Sequence, residues 1–171
     1  MHRAISTIVL LVCALDAHAG NCWEDAGRRY GVPPSLLVAV ARAESGLNPA
    51  AINASHFSRT GTYDIGLMQI NSSHLPMLAR YGIDEADLHA PCTNIAVGAW
   101  LLSSNFARFG VNWDAVGAYN AACTQLKGEA CHAARARYAW NIYRRLHDDS
   151  AVHLKRAGTT EPIFLHVQVT P

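Results

Sequence analysis

Residues 47–71 constrain the fold most, because they interrupt a chain that is otherwise patterned as helices. They carry glycine, asparagine, serine and proline at short intervals, with brief apolar pieces such as Tyr63 and Ile65. This composition is typical of loops and short strands. We therefore predict a small β-hairpin here, with its turn near residues 59–62. The fold class that follows is mainly α with a small β-hairpin insertion (α+β).

Helical patterns lie on both sides of this insertion. Helices are predicted over residues 21–30, 35–45, 92–109, 113–122 and 130–147, with helical signals already returning from Ser72. The clearest pattern is a 3.6-residue period formed by Ile95, Ala99, Leu102, Phe106 and Phe109. In the last helix Tyr138, Ile142 and Leu146 are predicted to face inward, and Arg135, Arg137, Arg144 and Arg145 to face solvent. Helical signals fade after His147.

The first 19 residues predict a secretory signal peptide. A basic start at residues 1–3 precedes the apolar run 5–15 and the small-x-small site Ala17-His18-Ala19. The run is too short to span a bilayer. We expect cleavage after Ala19, a domain over residues 20–147 and a loosely ordered tail over 148–171.

Alternatives remain at both ends of the chain. For the N-terminus they are an uncleaved anchor and a lipoprotein cysteine at Cys13, although the preceding Leu10-Leu11-Val12 lacks small residues. For the tail the alternative is an edge strand over residues 163–169.

Four cysteines remain once Cys13 is set aside, and an even number in an exported chain predicts two disulfides. Three pairings are open. We favour Cys22–Cys92, which would tie the first helix to the middle of the domain, and Cys123–Cys131, which would close a short polar loop. A zinc site is disfavoured because no two cysteines have the close spacing that such sites use.

Composition excludes several classes of function. The 171 residues suggest one domain, and a formal net charge of +1 gives no basic field for nucleic acid or an anionic membrane. Among the nine histidines, His56, His74 and His89 are scattered, so we expect no metal and no cofactor. Ser72 and Ser73 lack the Gly-x-Ser-x-Gly setting of a nucleophile. The four tryptophans are usually core in a helical domain, although one could stack on sugar.

Glu44 is the leading catalytic candidate. Leu37, Val40 and Glu44 share one face of the second predicted helix, so the carboxyl group points toward the apolar interior near the helix end. Desolvation and the negative end of the helix dipole both disfavour the carboxylate and raise its pKa. A carboxyl group that stays protonated near neutral pH suits a general acid. The alternative is a structural glutamate paired with a buried arginine or a backbone N–H.

Three segments then carry a resemblance. They are Glu44-Ser45-Gly46-Leu47-Asn48-Pro49, Gly66-Leu67-Met68-Gln69-Ile70-Asn71 and Ala118-Tyr119-Asn120. In this order and spacing the chain, from Cys22 to Leu146, resembles the soluble lytic transglycosylases of the lysozyme-like superfamily. The small size and the residues 63–71 resemble the specialised branch associated with type III and type IV secretion systems and pili.

The resemblance implies an activity and roles for these residues. The enzyme would cleave the bond between N-acetylmuramic acid and N-acetylglucosamine in peptidoglycan, leaving 1,6-anhydro ends, with Glu44 as acid and then base. Ser45 would orient Glu44 or the sugar, and Met68 and Gln69 would line the saccharide groove. Among the substrate-binding residues, Tyr119 would hydrogen-bond close to Glu44, and Asn120 would contact sugar or brace the groove. Each has a structural alternative: Met68 as core, Tyr119 as packing, Asn120 as a helix cap.

Asp64 lies in the predicted hairpin, 20 residues after Glu44. Retaining lysozymes place two carboxyl groups about 5 Å apart, and Asp64 could fill that second place. The alternative is a turn cap or a pair with Arg59.

Other functions stay open beside the transglycosylase. They are a hydrolytic muramidase using Glu44 and Asp64, a non-catalytic wall-binding or assembly protein, and a toxin or phage-borne lysis factor. The expected partners are peptidoglycan strands and components of a secretion or pilus apparatus. We expect no nucleic acid partner, a monomer, and a periplasmic location.

Overall fold

The computed structural model describes residues 16–123 and 126–157. Residues 1–15 of the predicted signal peptide (1–19) lie outside these residues. So do residues 158–171 of the predicted tail (148–171), which include its alternative edge strand. Seven α-helices and three short strands occupy the described part, joined by 3₁₀ turns at Ser72–His74, Ala79–Tyr81 and Asp87–His89. None of these described helices is long and apolar enough to cross a bilayer.

Two helices precede the insertion. Helix α1 covers Asp16–Tyr30 and therefore starts earlier than the predicted residue 21. Helix α2 covers Pro34–Ser45 and ends, as predicted, at Gly46, which adopts a left-handed φ of 64°. Glycine reaches this conformation without the Cβ clash that other residues incur.

The insertion is a three-stranded antiparallel sheet rather than a single hairpin. Its strands are β1 (Ile52–Asn53), β2 (Asp64–Ile65) and β3 (Ile70–Asn71), in the order β1-β2-β3. The turn expected near residues 59–62 is instead the short helix α3, Phe57–Thr60, followed by Gly61. Because the register aligns one polar position across all three strands, Asp64 lies between Asn53 and Asn71.

The remaining helices enclose the core. They are α4 (Leu75–Leu78), α5 (Pro91–Phe109), α6 (Trp113–Asn120) and α7 (Gly128–Ala157). Of the five residues in the predicted apolar period of α5, Ile95, Ala99 and Leu102 are fully buried, against Leu37 and Val40 of α2 and Ile142 of α7 in one apolar cluster. The predicted end of α7 at His147 is wrong, since the helix continues to Ala157.

The favoured disulfides are both present. Cys22–Cys92 joins α1 to α5 with a Cα–Cα distance of 5.1 Å, and Cys123–Cys131 joins the loop after α6 to α7 with one of 5.6 Å. The first fixes helices distant in sequence, and the second holds the start of α7 against the end of α6.

One arginine of α7 is a correction to the predicted solvent face. Arg135 is only 6% exposed. Its Nη1 lies 2.7 Å from Asp114 Oδ2, its Nε donates to the Ala121 carbonyl, and its guanidinium lies over the Phe109 ring. A guanidinium tolerates such burial when a carboxylate and a hydrogen-bond acceptor satisfy it. These contacts fix α7 to α6 and so position the residues that follow on α7.

Candidate active site

Glu44 lies half-buried at the C-terminal end of α2. On the same face of the helix, Leu37 and Val40 are fully buried. Burial is the largest influence and raises the pKa of Glu44 from 4.5 to about 7. A hydrogen bond from Tyr138 acts in the opposite direction, and the negative charge of Asp64 adds to the rise. Half of the Glu44 side chains would therefore carry a proton at neutral pH.

Tyr138 of α7 is a site residue that the sequence analysis assigned only to the inward face of a helix. Its hydroxyl donates to Glu44 Oε1, across 94 positions of sequence. Burial first, and then the charge of Glu44, raise the pKa of Tyr138, so it stays a protonated donor. A tyrosine among apolar inward-facing residues was the available signal, because a buried hydroxyl needs a partner.

Ser45 does not contact Glu44 through a hydrogen bond. Its Oγ donates to the Leu67 carbonyl at 2.7 Å and accepts the Asn48 N–H at 3.1 Å. Ser45 therefore connects the end of α2 to the loop after β2, and holds the helix end that carries Glu44.

Residues 66–69 form the tight connection between β2 and β3. Gly66 has a φ of 75°, and a Cβ there would collide with the Asn94 side chain. Met68 is fully buried and packs against Gly98, where a Cβ would collide with the Met68 sulfur. Met68 thus belongs to the core, the alternative reading, and its side chain does not line an open groove.

Asn94 of α5 is a second residue that sequence reasoning missed. It is 1% exposed. Its Oδ1 accepts the Met68 N–H at 2.7 Å, and its Nδ2 donates to the carbonyls of Ile65 and Leu88 at 3.0 and 2.7 Å. One buried amide therefore satisfies three backbone groups, one each from β2, the loop at residues 66–69 and the 3₁₀ turn at Asp87–His89, as buried polar groups require. An asparagine inside an apolar helical pattern was the available signal.

Gln69 and Tyr119 meet at the same loop. Gln69 has a φ of 50°, and its Nε2 donates to the carbonyls of Gly66 at 2.8 Å and Ala51 at 3.3 Å. The Tyr119 hydroxyl donates to the Met68 carbonyl at 2.9 Å. Burial, and then the charges of Glu44 and Asp64, raise the pKa of Tyr119. Asn120 lies exposed at the last position of α6.

Asp64 lies on β2 beside these groups. Asn71 Nδ2 donates to Asp64 Oδ1 at 2.7 Å, and His56 Nε2 lies 3.7 Å from Asp64 Oδ2. The alternative partner Arg59 is not the one observed: among the described residues, the basic side chain within 4 Å of Asp64 is the His56 imidazole. Since Asp64 raises the pKa of both Glu44 and Tyr119, two carboxyl groups share one electrostatic environment.

The described residues contain no group of three or more histidine, cysteine, aspartate or glutamate side chains arranged to hold a metal ion. The arrangement suits proton transfer instead. It has one protonatable carboxyl group at Glu44, a hydroxyl donor at Tyr138 and a second carboxylate at Asp64.

A half-buried glutamate at a helix end, with an aspartate on a small three-stranded sheet near enough to raise its pKa, is consistent with a lysozyme-like fold. The fold matches the X-ray structure of an inactive mutant of lytic transglycosylase Slt from Pseudomonas aeruginosa, with a TM-score of 0.58 and 21% identity over 86% of this chain and 26% of that one. At this identity the match shows the fold alone.

The transglycosylase SLT domain model matches residues 21–140. Curated relatives include invasion protein IagB of Salmonella typhi, 38% identical over 84% of this chain and 88% of the relative. Protein IpgF of Shigella flexneri is 39% identical over 82% and 90%, and X polypeptide of Escherichia coli 42% identical over 84% and 83%. The chain belongs to the transglycosylase SLT family, which confirms the predicted resemblance.

Proposed function

We propose that this protein is a peptidoglycan lytic transglycosylase that cleaves the β-1,4 bond between N-acetylmuramic acid and N-acetylglucosamine and leaves a 1,6-anhydro end. The observation that carries the proposal is Glu44: a half-buried carboxyl group whose pKa is raised to about 7 by burial, within the residues that match the SLT family model. Such a group can give a proton and then take one back within a single turnover at neutral pH.

Glu44 acts first as an acid. Tyr138 donates to Oε1, so the transferable proton resides on Oε2. Transfer of this proton to the glycosidic oxygen lets the bond between that oxygen and C1 of the muramic sugar break, and positive charge develops at C1. The substrate's own acetamido group and the carboxylate of Asp64 are the groups that stabilise this charge.

Glu44 then acts as a base. Its carboxylate takes the proton of the C6 hydroxyl of the same muramic sugar, and O6 forms a bond to C1. This closes the 1,6-anhydro ring, restores protonated Glu44 and consumes no water. Glu44 gives up one proton in the first step and regains one in the second, so a pKa near the working pH is suited to both steps.

The other site residues mainly position the backbone around Glu44. Ser45 and Tyr119 hold the helix end and the loop at residues 66–69 through bonds to the Leu67 and Met68 carbonyls. Gln69 uses Nε2 within the loop and would meet saccharide through Oε1. Asn120 is exposed at the end of α6 and would contact sugar.

Muramidase activity is the second candidate, favoured by Asp64. If water rather than O6 attacked C1, the same two carboxyl groups would give a reducing-end product. The presence of Asp64 beside Glu44 makes this alternative a specific one, and product analysis separates the two reactions.

The cellular role we propose is local opening of the wall during assembly of a secretion or pilus apparatus, in the periplasm after signal-peptide cleavage at Ala19. Similarity to an invasion protein and the residue pattern at 63–71 support this role. The protein would act as a monomer.

The test is mass spectrometry of muropeptides released from purified peptidoglycan by the mature protein, Glu44→Gln and Asp64→Asn. Products lighter than hydrolysis products by one water, lost in Glu44→Gln, support the transglycosylase. Reducing-end products alone support the muramidase. If Glu44→Gln released as much product as the parent, a catalytic role of Glu44 would be excluded. Binding to the wall without release from the parent protein would support a non-catalytic assembly protein.

A further inference from the structure

A row of aromatic rings lies on α7 outside the candidate active site. Trp140 stacks on Tyr143, with ring centroids 5.2 Å apart and planes 10° apart. Tyr143 in turn contacts the His147 ring at 3.9 Å, and Trp113 of α6 meets Tyr143 edge-on at 5.4 Å. Tyr143 is therefore enclosed by three rings, and Trp140 is the outer member that it supports.

The row faces away from Glu44. Trp140 follows Tyr138 by two positions, about 200° around the helix, and Tyr138 is the residue that contacts Glu44. Trp140 is 58% exposed and Trp113 is 41% exposed. Two of the four tryptophans thus lie on the surface, in one patch, instead of in the core where tryptophans usually contribute most.

The charges beside the row are basic. Arg137 and Arg144 lie three and four positions from Trp140, on neighbouring turns of the same side of the helix, and both are exposed. Neither forms an ion pair within the part of the chain that the structure describes. The two exposed residues in the turn before Arg137, Ala133 and Ala136, are small. The surface is therefore a platform built on stacked rings, with Trp140 outermost and two guanidinium groups beside it. Over residues 133–147 of α7 no aliphatic side chain larger than alanine is exposed.

We propose that this platform, formed by Trp113, Trp140, Tyr143, His147, Arg137 and Arg144, is a second binding site for the glycan strand of peptidoglycan. A pyranose ring presents a flat face of C–H groups that packs on the exposed face of Trp140, and its hydroxyls at the rim remain in water. The free carboxylates of the stem peptides pair with Arg137 and Arg144.

The exposed ring of Trp140, with no exposed aliphatic side chain larger than alanine beside it on α7, fits a sugar better than a protein hot spot, which buries its anchors in well-packed pockets. The inference rests on the proposed function for the identity of the polymer. Its consequence is avidity: the strand is held on one side of α7 while the site on the other side cuts, which raises the effective concentration of substrate.

The test is co-sedimentation with purified insoluble peptidoglycan, in a Glu44→Gln background so that nothing is cleaved. Removing the exposed ring by Trp140→Ala is expected to weaken binding about tenfold, the effect of losing one stacked ring. Trp140→Phe keeps a ring and should retain most of the affinity. Arg137→Gln with Arg144→Gln should weaken binding at low salt and have less effect at high salt.

The matched control is Tyr81→Ala, which removes an aromatic side chain that is 75% exposed on another surface, and it should bind as the parent does. Unfolding midpoints of all variants should agree, because Trp140 is largely exposed. Equal binding by Trp140→Ala and its parent overturns the proposal and would leave the platform to a protein partner. Equal losses in Trp140→Ala and Tyr81→Ala overturn it as well.

A second readout separates this inference from the proposed function. In the otherwise native protein, Trp140→Ala should lower the rate on intact peptidoglycan more than the rate on short soluble glycan fragments. The sedimentation assay involves no chemistry. A protein that releases no anhydro product but binds in a Trp140-dependent way refutes only the proposed function.

Discussion

Replacing Glu44 by glutamine should stabilise the protein, and only at high pH. Burial raises the pKa of Glu44 from 4.5 in the unfolded chain to about 7 in the folded protein. At 1.36 kcal/mol per pKa unit, that rise corresponds to about 3 kcal/mol of free energy of unfolding. The folded site disfavours the carboxylate form, so the native protein should lose this free energy of unfolding when Glu44 ionises.

The sign follows from where each state ionises. Below pH 4.5 Glu44 is protonated in both states and contributes nothing to the pH dependence. Between that pH and about 7 the unfolded chain is ionised while the folded protein still holds the proton, so stability falls as pH rises. Above that range the full loss of about 3 kcal/mol is present. Glutamine cannot ionise and can still accept the Tyr138 hydrogen bond, so it avoids the loss.

The assay is urea denaturation, with disulfides intact, of the native protein and Glu44→Gln at pH 4 and pH 8. The difference in free energy of unfolding between the two proteins should change by about 3 kcal/mol in favour of glutamine from the lower to the higher pH. Glu24→Gln, on the exposed surface of α1, is the matched control for removing one carboxyl group outside the site. A pH-independent difference for Glu44→Gln would refute the burial argument.

Three further predictions concern the groups around Glu44. Tyr138→Phe removes the hydrogen bond that lowers the pKa of Glu44. The alkaline limb of the pH–rate profile should therefore shift to higher pH, and the maximal rate should fall. An unshifted limb would contradict the role of Tyr138 in setting the pKa of Glu44. Asn94→Ala leaves three backbone groups unpaired and should cost about 2–4 kcal/mol in urea denaturation, and a loss below that range would mean that water replaces the amide. Gly98→Ala places a methyl group against Met68 and should cost about 1–3 kcal/mol, whereas Ala96→Gly on the same helix should cost about 1 kcal/mol or less.

Local patterns predicted the helices and the position of Glu44 well. The spacing of Leu37, Val40 and Glu44 placed the carboxyl group toward the interior, and glycine after α2 ended that helix where expected. Both features depend only on a few consecutive turns of one helix, so they can be predicted from the local sequence. The antiparallel sheet was predicted in kind, but its third strand and the helix at Phe57–Thr60 were not.

Contacts distant in sequence could not be predicted in this way. Tyr138 meets Glu44 across 94 positions, and Arg135 is buried because Asp114 and Phe109 of other elements reach it. Helical periodicity assigned Tyr138 to the inward face and Arg135 to the solvent face. Periodicity indicates only the side of the helix on which a residue lies, and not which residues of other elements contact it. Met68 was predicted to line the saccharide groove, with a core position as the alternative. It lies in the core because Gly98 of α5, which is distant in sequence, leaves the space that the Met68 side chain fills.

The most direct test of the central claim is digestion of purified peptidoglycan in water labelled with heavy oxygen. Because O6 of the muramic sugar attacks C1 and no water enters, released muropeptides should be anhydro species without label, and Glu44→Gln should release none. Labelled reducing-end products formed at the parent's full rate would contradict the transglycosylase reaction and assign the paired carboxyl groups of Glu44 and Asp64 to hydrolysis.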